Sequence, residues 1–151
     1  MLSVFVAFLL CFLGNNPPAI PIITEPSFDG RITNPEDTHM ETGPFSDPDP
    51  GDTHTASDWE IWTTSPSQRV WAALGVTGPE RVHIHLGDGA FQNSHAGRVS
   101  LLPGTNYQLR VRHRDSSGDP STQWSPFGTR FFTTGTLSTV FAMELDDIQA
   151  T

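Results

Sequence analysis

The stretch Leu101-Leu-Pro-Gly-Thr-Asn-Tyr-Gln-Leu-Arg-Val-Arg112 decides how this chain is read. Tyr107, Leu109 and Val111 alternate with Gln108, Arg110 and Arg112, the period of two by which a strand buries one face and wets the other. Pro103-Gly104 sets a turn ahead of it. Working back, Ala56 to Thr64 shows the same alternation, with Trp59, Ile61 and Thr63 on one face and Asp58, Glu60 and Trp62 on the other. Arg69 to Leu74 and Arg81 to Leu86 read as further strands, and Gly87 to Gly97 as a long loop. Nearer the start, Pro17 to Pro21 is a stiff linker, and Ile20, Ile22 and Ile23 begin a first strand that ends near Pro26. Arg31 to Thr33 reads as its continuation after a break, and Thr38 to Phe45 as a second strand. Working forward, Gly128 to Thr134 is the closing strand. With 13 Gly and 13 Pro among 151 residues, and no long helical pattern, the chain is expected to be all-β.

That length allows one compact domain with short appendages. Residues 17–135 are the expected domain, 1–16 a signal peptide or a retained apolar strand, and 136–151 a linker or assembly tail. Leu2 to Leu13 is apolar but for Ser3, too short to span a bilayer, and it holds the only cysteine, Cys11. The domain therefore has no thiol for a disulfide or a thiolate metal site. Net charge is −9 and all eight basic residues are Arg. Between Glu25 and Glu60, ten carboxylates face the single Arg31. Such a field disfavours nucleic acid and anionic membranes. It suits divalent cations, or simply a well-solvated surface.

Leu101 to Thr134 resembles the second half of a fibronectin type III domain: Leu-x-Pro-Gly-Thr-x-Tyr, an alternating strand, a Gly-containing loop and a closing Phe-Thr-Thr at Phe132 to Thr134. The resemblance implies a seven-stranded fibronectin type III or immunoglobulin-like sandwich with an apolar N-terminal extension, Tyr107 taking the tyrosine-corner place. The chain departs from the family in offering only His39, Met40 and Glu41 where the core Trp is usual, so Trp59 must fill the core. Phe45 to His54, Ser57 to Ile61 and Val111 to Gly118 are similar to modules embedded in bacterial secreted proteins. That implies an extracellular spacer or binding module, with other extracellular domains, copies of itself or carbohydrate as partners.

Asp47, Asp49 and Asp52 fall within six residues on a loop stiffened by Pro48 and Pro50, a pattern that fits the hard oxygens Ca2+ requires. Asp115 and Asp119 make a second acidic loop, which a fibronectin-like sandwich places at the same pole. The plainer reading is that both runs are turn formers. His83 and His85, two apart on a strand, point to one face with Asp88 near, and read either as exposed histidines or as a metal pair lacking a firm third ligand. Arg110, Arg112 and Arg114 are expected to stack on aromatics beside Asp58 and Glu60. Trp124-Ser125 resembles half of the Trp-Ser-x-Trp-Ser element of cytokine receptors, with Phe127 and Gly128 replacing the rest. Trp62 and Trp71 are the alternative, a sugar platform. No catalytic motif is present. The expected function is thus a non-catalytic extracellular module stabilised by Ca2+. The alternatives are a filament subunit joined through Val4 to Leu10 and Val140 to Leu145, and the N-terminal fragment of a secreted enzyme.

Overall fold

The computed structural model of the protein describes residues 14–136. The export and assembly expectations fall on segments outside the described residues. Among the described residues, nine strands form two sheets: β1 (Ile23–Glu25), β2 (Arg31–Thr33), β3 (Met40–Thr42), β4 (Ala56–Thr64), β5 (Ser67–Val76), β6 (His83–Ile84), β7 (Ala90–Phe91), β8 (Asn106–Arg114) and β9 (Gly128–Thr134). The smaller sheet has the order β1-β3-β6 and the larger β2-β9-β8-β4-β5-β7. All pairings are antiparallel except β2 with β9. Both sheets feed one core: Ile23, Met40 and Ile84 from the smaller, and Trp59, Ile61, Leu109, Val111, Tyr107 and Phe132 from the larger. The chain is therefore an all-β sandwich.

Several local expectations change. Ile20 and Ile22 are exposed and precede β1, whose residues are Ile23–Glu25 alone. Pro17 to Pro21 is not a free linker, because Ala19 N–H donates to the Ser46 carbonyl and Pro21 lies against β9. A Cβ at Gly128 would sit 2.4 Å from the Pro21 carbonyl oxygen, so only glycine permits that approach. Arg31 to Thr33 does not prolong β1: the Asp29-Gly30 turn, with Gly30 at φ +84, redirects it to the other sheet, alongside β9. The second strand shortens to Met40–Thr42, and of the strand expected over 81–86 only His83–Ile84 is paired, between the 3-10 turns Gly78–Arg81 and Leu86–Asp88. The loop over 87–97 contains β7.

Tyr107 is buried beneath the turn that precedes β8, and its hydroxyl accepts the Leu102 N–H at 3.0 Å. That is the tyrosine-corner contact. The hydroxyl also meets His95 Nε2 at 2.8 Å. Trp59 is fully buried, as expected, with Nε1 donating to the Glu80 carbonyl at 3.1 Å.

On the outer face of the larger sheet the arginine ladder forms. Arg110 lies between Trp62 and Phe127, 5.0 and 4.4 Å from their ring centroids, Arg112 between Phe127 and Trp124 at 5.1 and 4.4 Å, and Arg114 over Trp124 at 5.9 Å. Phe127 thus stacks between two guanidinium groups. Beneath the ladder, Asp58 accepts from Arg112 Nε and Nη2 at 2.8 and 2.6 Å, and Glu60 from Arg69 Nη1 at 2.7 Å and Trp62 Nε1 at 2.8 Å. Both carboxylates are buried by the stack above them. Trp71 is also buried, its Nε1 donating to the Leu86 carbonyl and its ring packed on Gly89, so the Trp62–Trp71 sugar platform does not form.

Replacing Arg112 with Met leaves Asp58 buried with only the Gly75 N–H as a donor. We expect Arg112→Met to lose about 2–3 kcal/mol of unfolding free energy in urea titration, part of it restored by adding Asp58→Asn. Wild-type stability in Arg112→Met would show that the ladder contributes nothing.

Candidate functional site

The acidic pole is placed by strand register. Ala56, the first residue of β4, pairs with Arg114, the last of β8, so the loop entering β4 and the loop leaving β8 must meet. They join through Ser116, whose hydroxyl donates to Asp52 Oδ1 at 2.8 Å and accepts the Thr53 N–H at 3.1 Å. Thr55 Oγ1 donates to the Asp115 carbonyl at 2.7 Å.

Within the first loop, the Asp49 N–H folds back on Asp47 Oδ1 at 2.8 Å, and Gly51, at φ +101, turns the chain so that the Asp52 N–H reaches the Asp49 carbonyl. Carboxylate oxygens of Asp47, Asp49 and Asp52 consequently lie within 4.8 Å of one another. Asp49 is held by Asn16, through its N–H at 2.6 Å and Nδ2 at 3.1 Å. Asp47 Oδ2 is buried and meets no hydrogen-bond donor. Burial pushes the Asp47 carboxyl above its usual range, and the charges of Asp115, Asp52 and Asp49 push the same way, against the lowering effect of the Asp49 N–H.

The second loop contributes unequally. Asp115 is buried, its Oδ1 taking the Ser117 N–H and hydroxyl at 2.9 and 2.6 Å and its Oδ2 taking Asn15 Nδ2 at 3.1 Å. Its charge reaches Asp47, but its oxygens are committed to its own loop and to the N-terminal segment. Asp119 is not one of the converging carboxylates: it caps its own turn through the Ser121 N–H and hydroxyl, which hold its carboxyl below the usual range. Here the turn-forming reading prevails. The contribution of Asn15 and Asn16 was not foreseen, because nothing in the local sequence ties them to loops 33 and 100 residues away.

The loop is closed at its base by aromatic rings. Phe45 and His54, just outside its two ends, stack at 5.0 Å, and His54 meets His113 of β8 at 4.2 Å. His54 Nε2 contacts Ser57 Oγ at 2.8 Å, His113 Nε2 contacts Thr42 Oγ1 at 3.2 Å, and Arg81 donates to the His54 carbonyl. Burial, with Arg81 adding to it, lowers the His54 pKa to about 4, and burial with the His54 charge lowers that of His113 to about 3. Both imidazoles are therefore neutral at pH 7.

His83 and His85 share a face as expected, with their Nε2 atoms 3.0 Å apart. Asp88 instead accepts the His85 backbone N–H at 2.9 Å. The third imidazole is His39, which the sequence did not reveal because it stands just ahead of β3, far from His83 along the chain.

No protein-family model and no curated protein matches this sequence. Among solved structures, an alpha-L-rhamnosidase from Dictyoglumus thermophilum is similar over 80% of this chain, with a TM-score of 0.54 and 18% identity. The match spans 12% of the rhamnosidase chain. At that identity the likeness is one of fold.

The neutral histidines set a pH dependence. The unfolded state protonates them near 6.5 and the folded state resists until about 4 and about 3, so stability is full above pH 6.5 and falls as pH drops below it. For fully buried His113 the slope approaches one proton, about 1.4 kcal/mol per pH unit. Between pH 6.5 and about pH 4.5, where most carboxylates stay ionised, His113→Gln should flatten the decline seen in denaturant titrations of the wild type. Equal slopes would contradict burial of a neutral His113.

Proposed function

We propose that residues 17–135 are a fibronectin type III-like module of an extracellular protein, non-catalytic, acting as a spacer or binding unit, with Ca2+ closing its acidic pole. Setting aside the edge strands β2 and β7, seven strands remain, three in one sheet and four in the other, the partition of immunoglobulin-like sandwiches. The Leu102–Tyr107 contact supports the same assignment.

The observation that carries the calcium reading is Asp47 Oδ2, a buried acceptor without a donor, beside two further carboxylates within 4.8 Å. A cation relieves both the repulsion and the missing partner. The donor set is all oxygen, as a hard ion prefers, and loop carbonyls and water complete the six to eight ligands of Ca2+. Pro48 and Pro50 reduce the ordering cost of the loop. Partners of such a module are neighbouring extracellular domains, copies of itself or carbohydrate.

The similarity to a small part of a rhamnosidase chain favours a second reading, in which this module belongs to a longer secreted enzyme and positions it rather than performing its chemistry. The module's own architecture is the same in either case.

Calcium at about 100 times its dissociation constant adds about 2.7 kcal/mol of stability, several degrees in melting temperature for a domain of this size. We expect wild-type protein to melt higher in Ca2+ than in chelator, and Asp49→Ala and Asp52→Ala to melt alike in both. Identical wild-type melting in the two buffers would refute the calcium assignment.

A further inference from the structure

We propose that His39, His83 and His85 form a second metal site, independent of the acidic pole, which takes a divalent transition-metal ion of the Zn2+ class.

The site follows from the pairing of two short strands. β3 and β6 run antiparallel with Met40 opposite Ile84 and Glu41 opposite His83, which sets His39 opposite His85. Met40 and Ile84 fill the core, so alternation turns His39, His83 and His85 outward together. The ring of His39 lies parallel to that of His85 at 5.2 Å and tilted against His83 at 4.4 Å. One ligand nitrogen from each ring lies within 4.8 Å of the other two.

Two features separate this arrangement from three histidines that merely share a surface. The first is where the lone pairs point. His85 Nδ1 is 2.7 Å from Asp37 Oδ1, so Nδ1 carries the proton it donates to the carboxylate, and Nε2 is left as the lone-pair nitrogen. That Nε2 faces His83 Nε2 at 3.0 Å. Zinc bound tetrahedrally at about 2.0–2.1 Å holds its ligand nitrogens about 3.3 Å apart, so the pair is already close to chelating separation. His39, exposed at the edge of the cluster, has less than 2 Å to close.

The second feature is the carboxylate behind the ligand. A carboxylate on the far nitrogen of a metal-binding imidazole fixes its tautomer and raises its basicity. Asp37 occupies that place. Asp88 accepts the His85 backbone N–H and steadies the chain there. Glu41, opposite His83, adds a further negative charge on the same face.

Three imidazoles suit zinc, copper(II) and nickel(II), not calcium, which separates this site chemically from the acidic pole. In the metal-free protein the proton between the two Nε2 atoms occupies the place of the ion, and on binding it passes to Nδ1 of His83, which leaves both Nε2 lone pairs to the metal. Three protein ligands leave a coordination position for water or for a side chain of a docking partner.

The test uses the full chain, stripped with chelator and titrated with Zn2+ by calorimetry at pH 7.5, with excess Ca2+ present. We expect one Zn2+ per chain. The double variant His83→Ala/His85→Ala should abolish that binding, His39→Ala should weaken it, and Asp37→Asn should weaken it roughly 10–100-fold without removing it. Asp49→Ala should bind Zn2+ as the wild type does. Long-range nitrogen-15 imidazole spectra should show Nε2 of His85 metallated while Nδ1 stays protonated. No stoichiometric binding by the wild type, or binding that survives His83→Ala/His85→Ala and disappears in Asp49→Ala, would overturn the proposal.

Discussion

The register of β4 against β8 is the constraint from which the rest of the structure follows. Pairing Trp59 with Val111 and Ile61 with Leu109 sends four apolar side chains into the core. The same pairing sets Asp58 opposite Arg112 and Glu60 opposite Arg110, beneath the stacked aromatics of the outer face. A slip of one residue would exchange the two faces, burying arginines and exposing tryptophan. The register also decides where the strands begin and end, and so brings the loop of Asp47 to Asp52 against that of Asp115.

One end of this sandwich is stitched by short polar contacts rather than by a disulfide. With Cys11 outside the domain, the work is shared among Asn15, Asn16, Ser116, Thr55 and the His54–His113 pair. Each is modest alone, about 1 kcal/mol net. Together they hold the N-terminal segment, the acidic loop and the loop after β8 as one unit, which leaves Asp47 Oδ2 buried between charges of its own sign. The proposed cation would offset that repulsion.

Long-range pairing was legible where alternation was strong. Ala56 to Thr64 and Gly128 to Thr134 match β4 and β9 residue for residue, and the burial of Trp59 and Tyr107 followed from which face each occupied. Reading was weaker where strands are only two or three residues long: β1, β3, β6 and β7 carry little periodicity of their own, and β2 was read with its bounds but not with its partner, because β9 lies far along the chain. The same limit applied to the sites. Asp47, Asp49 and Asp52 are neighbours in sequence and were visible as a group, whereas His39 joins His83 and His85 only through the β3–β6 register. Asp119 stands apart from that group, capping its own turn, and a carboxylate that does so has the same sequence signature as one that binds a cation.

The most direct measurement is a high-resolution crystal structure grown in calcium, with anomalous data collected to identify the ion. The account predicts a cation at the pole about 2.3–2.6 Å from oxygens of Asp47, Asp49 and Asp52, with Asp47 Oδ2 among its ligands. Density showing those three carboxylates turned apart into solvent, with water alone between them, would contradict it.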